Sequence, residues 1–297
     1  MSRVIYSLYI DVPESELDFF DEKIIKKDQL PTNINTKNEL KTHYKRLVEC
    51  KEAYARSIGC DFKMIEYDND YKEFYSYYKK NYPFITTYNI INEYKIMLLY
   101  KMAEEYDEIL YLDFDTIPMT NKSFFDIWDL NNGIAIMSNN KEIRQSGQGL
   151  HDIVGTIRSP SAKYFNTMAM LEETDYIPQC DVVNTGIVGA TKEHLQRLNF
   201  FDDMDTTYSI MEYLQSEEYK SESMYPRNIT DTFGYDNETI FSYKLVSNEV
   251  PVQWLDRKWH YFYDSELHIP QETKIVHAIN KKFDYVWRAY DKSMASQ

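Results

Sequence analysis

Two aspartates one residue apart, Asp113 and Asp115, end an apolar run at residues 108–118 (EILYLDFDTIP). Two hard oxygen ligands aimed at one point suit a divalent metal, Mg²⁺ or Mn²⁺, carrying a diphosphate. Side chains alternate along a strand, so residues i and i+2 point the same way and both carboxylates can converge. As plain turn residues the same pair would only close a strand. Far along the chain, KIVHAINKKFD sets His277 directly after a short apolar strand, with Lys281 and Lys282 close behind. In an acidic chain with an Asp-x-Asp, that grouping reads as a third metal ligand beside phosphate-neutralising cations.

Other residues could touch a ligand. Asp236, Asn237 and Glu238 open a helix, where an N-cap with favourable dipole charges accounts for the two acids as well as chemistry does. In the strand-like stretch 180–195 (CDVVNTGIVGATKEHL), Gly186 and Gly189 permit close approach of a ligand or a neighbouring strand. Four of the eight glycines fall between Gly133 and Gly155, and Arg144, Gln145, His151 and Arg158 are interspersed there. A segment of this kind over residues 139–161 reads as a lid, a binding loop or disorder.

The elements that must position these groups alternate. A β-branched and aromatic run at 3–10 ends at Asp11 and Pro13. A helical pattern over 40–58 stops at Gly59, and a strand at 60–68 follows. Helices at 71–80 and 89–105 then lead into the aspartate strand, whose residues 109–112 have the bulk of a strand buried on both faces. A short helix within 121–130 and a strand at 133–138 come next. The acidic, helix-prone stretch 202–219 reads as a solvated connection, and residues 274–276 as the short strand before His277. Strand-helix alternation predicts an α/β fold with a mixed, mostly parallel central sheet flanked by helices, in a single domain. The carboxyl end of its central strand, where Asp113 and Asp115 stand, is where open α/β sheets bind ligands.

Composition narrows the partners. The net charge of −15 disfavours nucleic acid and anionic membranes. Three cysteines, Cys50, Cys60 and Cys180, are too few and too scattered for a disulfide framework or zinc cluster. No stretch reaches the roughly 18 consecutive apolar residues of a membrane span, and the first 30 residues lack a basic start with an apolar core. The expectation is a soluble, cytoplasmic protein. The 27 tyrosines and 15 phenylalanines are spread along the whole chain, as compositional bias would spread them.

Taken in order, these pieces resemble the nucleotide-sugar glycosyltransferases of the GT-A (Rossmann-like) fold, most nearly glycosyltransferase family 8. The resemblance runs over residues 88–282. It implies that Asp113, Asp115 and His277 hold a metal, Mn²⁺ or Mg²⁺, on the diphosphate of a nucleoside-diphosphate sugar, and that Lys95 contacts the donor. It places Asn184 and Gly186 near the sugar, and Asp236 and Asn237 on sugar hydroxyls close to the reacting carbon. Tyr9 and Asp11 loosely match the family's tyrosine and aspartate after the first strand. The reaction implied is transfer of a hexose, from a UDP-sugar, to a hydroxyl of a glycan or other acceptor, with retention. An inverting enzyme would need one carboxylate base, for which Asp181, Asp236 and Glu238 are available. Residues 1–138 would form the nucleotide-binding half and 139–297 the acceptor and sugar half with the metal histidine. The chain departs from the family's H-x-x-G-x-x-K-P-W pattern, with Asn280 at the glycine and the lysines early. LYLDFDT also resembles the aspartate motif of haloacid-dehalogenase-like phosphohydrolases, and a carbohydrate-binding protein without turnover is the third reading.

Overall fold

The structure, a computed structural model, describes residues 1–13, 30–139, 159–264 and 268–295. The expected closing loop falls almost wholly on 140–158, and Arg144, Gln145, His151 and Arg158 lie outside the described residues. The strands are β1 (Arg3–Tyr9), β2 (Asp61–Glu66), β3 (Glu108–Leu112), β4 (Thr116–Pro118), β5 (Ile134–Ser138), β6 (Val183–Thr191), β7 (Val252–Trp254), β8 (Tyr261–Phe262) and β9 (Ile275–His277). Between them run helices α1 (Leu30–Ile58), α2 (Asn69–Asn81), α3 (Thr87–Met102), α4 (Phe124–Ile127), α5 (Pro160–Glu173), α6 (Lys192–Leu198), α7 (Met204–Leu214), α8 (Glu217–Glu222), α9 (Arg227–Thr230), α10 (Asn237–Ser247) and α11 (Phe283–Met294). The chain forms two compact units. One comprises Met1–Ala135, Gly186–Lys192 and Leu255–Gln297, and the other Ile136–Thr185 and Glu193–Trp254.

In the first unit β1 lies between β2 and β3 and is parallel to both, with Val4 opposite Asp61 and Ile109. On its other side β3 pairs antiparallel with β6, Leu110 opposite Gly189. The sheet is therefore mixed, and every residue of β3 is buried, as its apolar run requires. Helix α1 begins well before residue 40 and ends at Gly59, whose φ of +69° is the left-handed turn that stops a helix. Thr86 caps α3, its hydroxyl accepting from the Asn89 N–H at 3.2 Å.

Gly189 is explained by a neighbour within the protein. A Cβ there would come within 2.7 Å of Phe124 Cε1, so the missing side chain admits a buried ring.

A second sheet, β4-β9-β8, sets the geometry that matters most. Strand β4 pairs antiparallel with β9, Thr116 opposite His277, and β8 runs parallel to β9, Phe262 opposite His277. His277 thus belongs to its strand, where the sequence reading ended the strand one residue earlier. Behind this sheet Phe283, Val286 and Trp287 of α11 are buried with Leu47, Phe114 and Val276. Burying one such side chain contributes about 1.5–3 kcal/mol, so Phe114 draws the chain around it toward the core.

In the second unit α5, capped by Ser159, packs on α10 and α7. The stretch 202–219 corrects its expectation of a solvated connection. Met204, Tyr208, Met211 and Leu214 lie on one stripe of α7 and are buried, while its acids face water. No helix among the described residues is long and apolar enough to cross a membrane.

Candidate metal and donor site

Strand β3 stops at Leu112, so alternation along a strand is not what brings the two aspartates together. A tight turn does. The Thr116 N–H and hydroxyl both reach the Asp113 carbonyl, at 3.0 and 2.7 Å. Phe114 points into the core, and Asp113 and Asp115 are left to turn the other way. The register of β4 on β9 then delivers the histidine, and the Ala278 N–H donates to the Asp115 carbonyl at 3.0 Å.

His277 Nε2 lies 3.2 Å from Asp115 Oδ1 and 3.8 Å from Asp113 Oδ2. One ligand atom from each of the three residues falls within 4.8 Å of the others. Bonds of about 2.1 Å around an octahedral cation set adjacent ligands roughly 3 Å apart, so the spacing and the donor set both fit Mg²⁺ or Mn²⁺.

Cations surround the pair. The buried Lys95 ammonium is 3.5 Å from Asp113 Oδ1, and the Tyr111 hydroxyl donates to the same oxygen at 2.5 Å. The Lys281 ammonium rests on Asp115 Oδ2. Burial pushes the Asp115 carboxyl up, but Lys281 and His277 outweigh it and hold the group well below the usual carboxylate range. Lys281 has a φ of +60°. A lysine in the left-handed region is strained, and here that conformation aims its ammonium at Asp115. Lys282 is exposed, its N–H bonded to Asn280 Oδ1 at 3.2 Å.

Near the end of β1, Tyr9 stacks on Phe114 at 4.7 Å between centroids, and its buried hydroxyl has no partner among the described residues. Asp11 ion-pairs with Lys37 at 2.7 Å and Lys41 at 2.8 Å. Gly186 joins through its carbonyl, which accepts from the Asp113 N–H at 2.8 Å.

The second unit gathers the remaining candidates. Asp236 caps α10, its Oδ1 accepting from Glu238 N at 3.0 Å and Thr239 N at 3.4 Å. Asn237 Nδ2 donates to Thr185 Oγ1 at 2.9 Å. Glu238 Oε1 accepts from Thr185 N at 2.8 Å, and Lys163 lies on Glu238 Oε2 and 3.6 Å from Asp236 Oδ2. Half-buried Asn184 precedes Thr185 on β6, and Asp181 accepts from Ser138 Oγ at 2.6 Å.

No protein-family model and no curated protein matches the chain. Among solved structures, it is similar to a glycosyltransferase involved in glycosylation of the major capsid of PBCV-1, at 14% identity over 99% of this chain and 100% of that one, TM-score 0.41. The galactosyltransferase LgtC with donor and acceptor sugar analogs is similar at 13% identity over 99% and 95%, TM-score 0.43. Mouse xyloside xylosyltransferase 1 is similar at 11% over 94% and 98%, TM-score 0.43.

Sequence reasoning missed Lys51, His260, Lys163 and Thr185. Lys51 had a signal, since a charge between Leu47 and Tyr54 interrupts an apolar helix stripe, and it is wholly buried. His260, buried behind His277, had none beyond its place between Trp259 and Tyr261. Lys163 and Thr185 acquire their meaning only from the partners that folding supplies.

Proposed function

We propose that this chain is a GT-A glycosyltransferase that moves a hexose from a nucleoside-diphosphate sugar, a UDP-sugar, to a hydroxyl of a glycan or other acceptor. The observation that carries the reading is the meeting of Asp113, Asp115 and His277 from distant parts of the chain, with Lys95 and Lys281 on the same carboxylates. Those three residues would hold Mn²⁺ or Mg²⁺. When bound, such a cation supplies a Lewis-acid partner for the diphosphate's charge.

As the sugar–phosphate bond breaks, the leaving diphosphate gains negative charge, and Lys95, Lys281 and Lys282 are the cations assigned to it. The Tyr9 hydroxyl, without a partner among the described residues, is assigned to the nucleoside, as is Asp11, which is paired with Lys37 and Lys41. Asn184, Gly186, Asp236 and Asn237 are assigned to the sugar. Residues 1–138 would do the nucleotide work and 139–297, His277, Lys281 and Lys282 excepted, the sugar and acceptor work.

Retention of configuration is assigned on the family resemblance. Asp181, Asp236 and Glu238, the carboxylates available to an inverting reaction as base, each accept hydrogen bonds from the protein. The test is release of nucleoside diphosphate from a panel of nucleotide sugars with and without Mn²⁺. Turnover should require the metal and vanish in Asp115→Ala while the fold persists. Release at the parent's rate by that variant would overturn the reading, and phosphate release from simple esters would favour a phosphohydrolase.

A further inference from the structure

His277 is gripped from behind by a second imidazole. His260 Nε2 and His277 Nδ1 are 3.0 Å apart. The ring centroids are 5.2 Å apart and the planes 18° from parallel. That separation exceeds the nitrogen–nitrogen distance by about two ring radii, so the contact is an in-plane hydrogen bond. The backbone enforces it: parallel pairing puts Phe262 opposite His277, and Tyr263 N–H donates to the His277 carbonyl at 2.9 Å. His260 is wholly buried, and its Nδ1 finds no partner among the described residues.

The metal-ligand reading of His277 requires an unprotonated Nε2, which faces Asp113 and Asp115, so the ring's one proton must sit on Nδ1. We propose that His260 is the positioning residue that sets this tautomer, accepting the Nδ1 proton of His277 and so leaving Nε2 free to ligate a divalent cation. The proposal rests on the metal-site reading given above.

The same dyad has a second proton arrangement. With His260 Nε2 as donor, His277 Nδ1 accepts and His277 Nε2–H points at Asp115 Oδ1. Passing from this arrangement to the ligating one moves the His260 Nε2 proton across the hydrogen bond to His277 Nδ1. One proton leaves His277 Nε2 and one is taken up at His260 Nδ1, so net charge is unchanged. The ligating arrangement leaves the His260 Nδ1–H buried with no acceptor among the described residues, which disfavours it until a cation claims Nε2. His260 therefore acts in the metal-bound state: once a cation claims His277 Nε2, His260 Nε2 is the acceptor that holds the His277 Nδ1 proton. A glutamine at 260 keeps the acceptor, and a phenylalanine keeps the ring without it.

Mn²⁺ affinity of the parent, His260→Gln and His260→Phe, with ¹⁵N spectra of the imidazoles in the Mg²⁺-bound parent, tests this. We expect His260→Phe to bind Mn²⁺ about 10- to 100-fold more weakly, the range typical of lost outer-shell partners, and His260→Gln to stay within about threefold of the parent. The spectra should show His277 protonated on Nδ1 and bare on Nε2. Equal weakening by Gln and Phe would mean that the ring acts by packing, and parent-like affinity in His260→Phe would show that it does nothing. Either result overturns the proposal while leaving the metal site standing, as does a proton on His277 Nε2 with Mg²⁺ bound. If the parent itself binds no Mn²⁺, the metal-site reading falls and the proposal with it.

Discussion

The ammonium of Lys51, wholly buried, donates to the carbonyl oxygen of Phe114 at 2.7 Å. Phe114 is the residue between the two aspartates, so a cation beneath the turn fixes the peptide that aims both carboxylates. A second bond, to the Leu47 carbonyl at 3.2 Å, ties the same ammonium to α1. Lys51→Met keeps most of the volume and removes the donor. A buried carbonyl left unmet costs about 1–3 kcal/mol, and urea unfolding should show a loss of that order. Unchanged stability would mean that the turn does not depend on its lysine.

Gly189→Ala should destabilise by about 1–3 kcal/mol, the usual cost of overpacking a filled core. The new methyl group would sit 2.7 Å from Phe124 Cε1, and that ring is wholly buried. Calorimetric melting compared with the parent measures the cost; an unshifted melting temperature would show that the ring yields freely.

Asp236→Asn separates the cap from the chemistry. Asparagine caps helices about as well as aspartate, so stability should stay within about 1 kcal/mol of the parent. Turnover should fall at least about tenfold if the carboxylate serves the sugar. An active variant would reduce Asp236 to a structural cap.

Alkaline pH should unfold the protein through its tyrosines. Burial raises the hydroxyls of Tyr6 and Tyr54 above the ordinary value of 10.0, and burial with Glu172 does the same for Tyr225. These groups keep their protons in the fold at pH values where the unfolded chain loses them. Their stabilisation is whole below pH 10 and is lost as the pH climbs toward their folded values. Melting temperature followed by circular dichroism should fall steadily above pH 10, with tyrosinate absorbance rising alongside it. Full stability with all tyrosines ionised would contradict this.

Much of the site was legible because its residues are chemically loud. Ile109 to Leu112 announce a strand buried on both faces, and Asp113, Asp115 and the late His277 with Lys281 are residue types that can hold a metal, although the aspartates alone also read as turn residues. What joins them was silent. Strands β4 and β8 have three and two residues, too few for periodicity to register. The aspartates converge through a turn anchored by Phe114, a residue that looks like any other apolar side chain in the sequence. In α7 the surface acids hid the stripe of Met204, Tyr208 and Met211. His260 and Lys51 matter only through neighbours that the fold alone supplies.

In the function proposed above, a divalent cation on Asp113, Asp115 and His277 would grip a sugar donor's diphosphate. The most direct measurement is the melting temperature of the parent and of Asp115→Asn across a panel of nucleotide sugars, each with and without Mn²⁺. A donor at 100 times its Kd should stabilise the parent by about 2.7 kcal/mol. That shift should appear only with Mn²⁺ and be absent from Asp115→Asn. An equal shift without metal, an equal shift in the variant, or no shift with any donor would contradict the account.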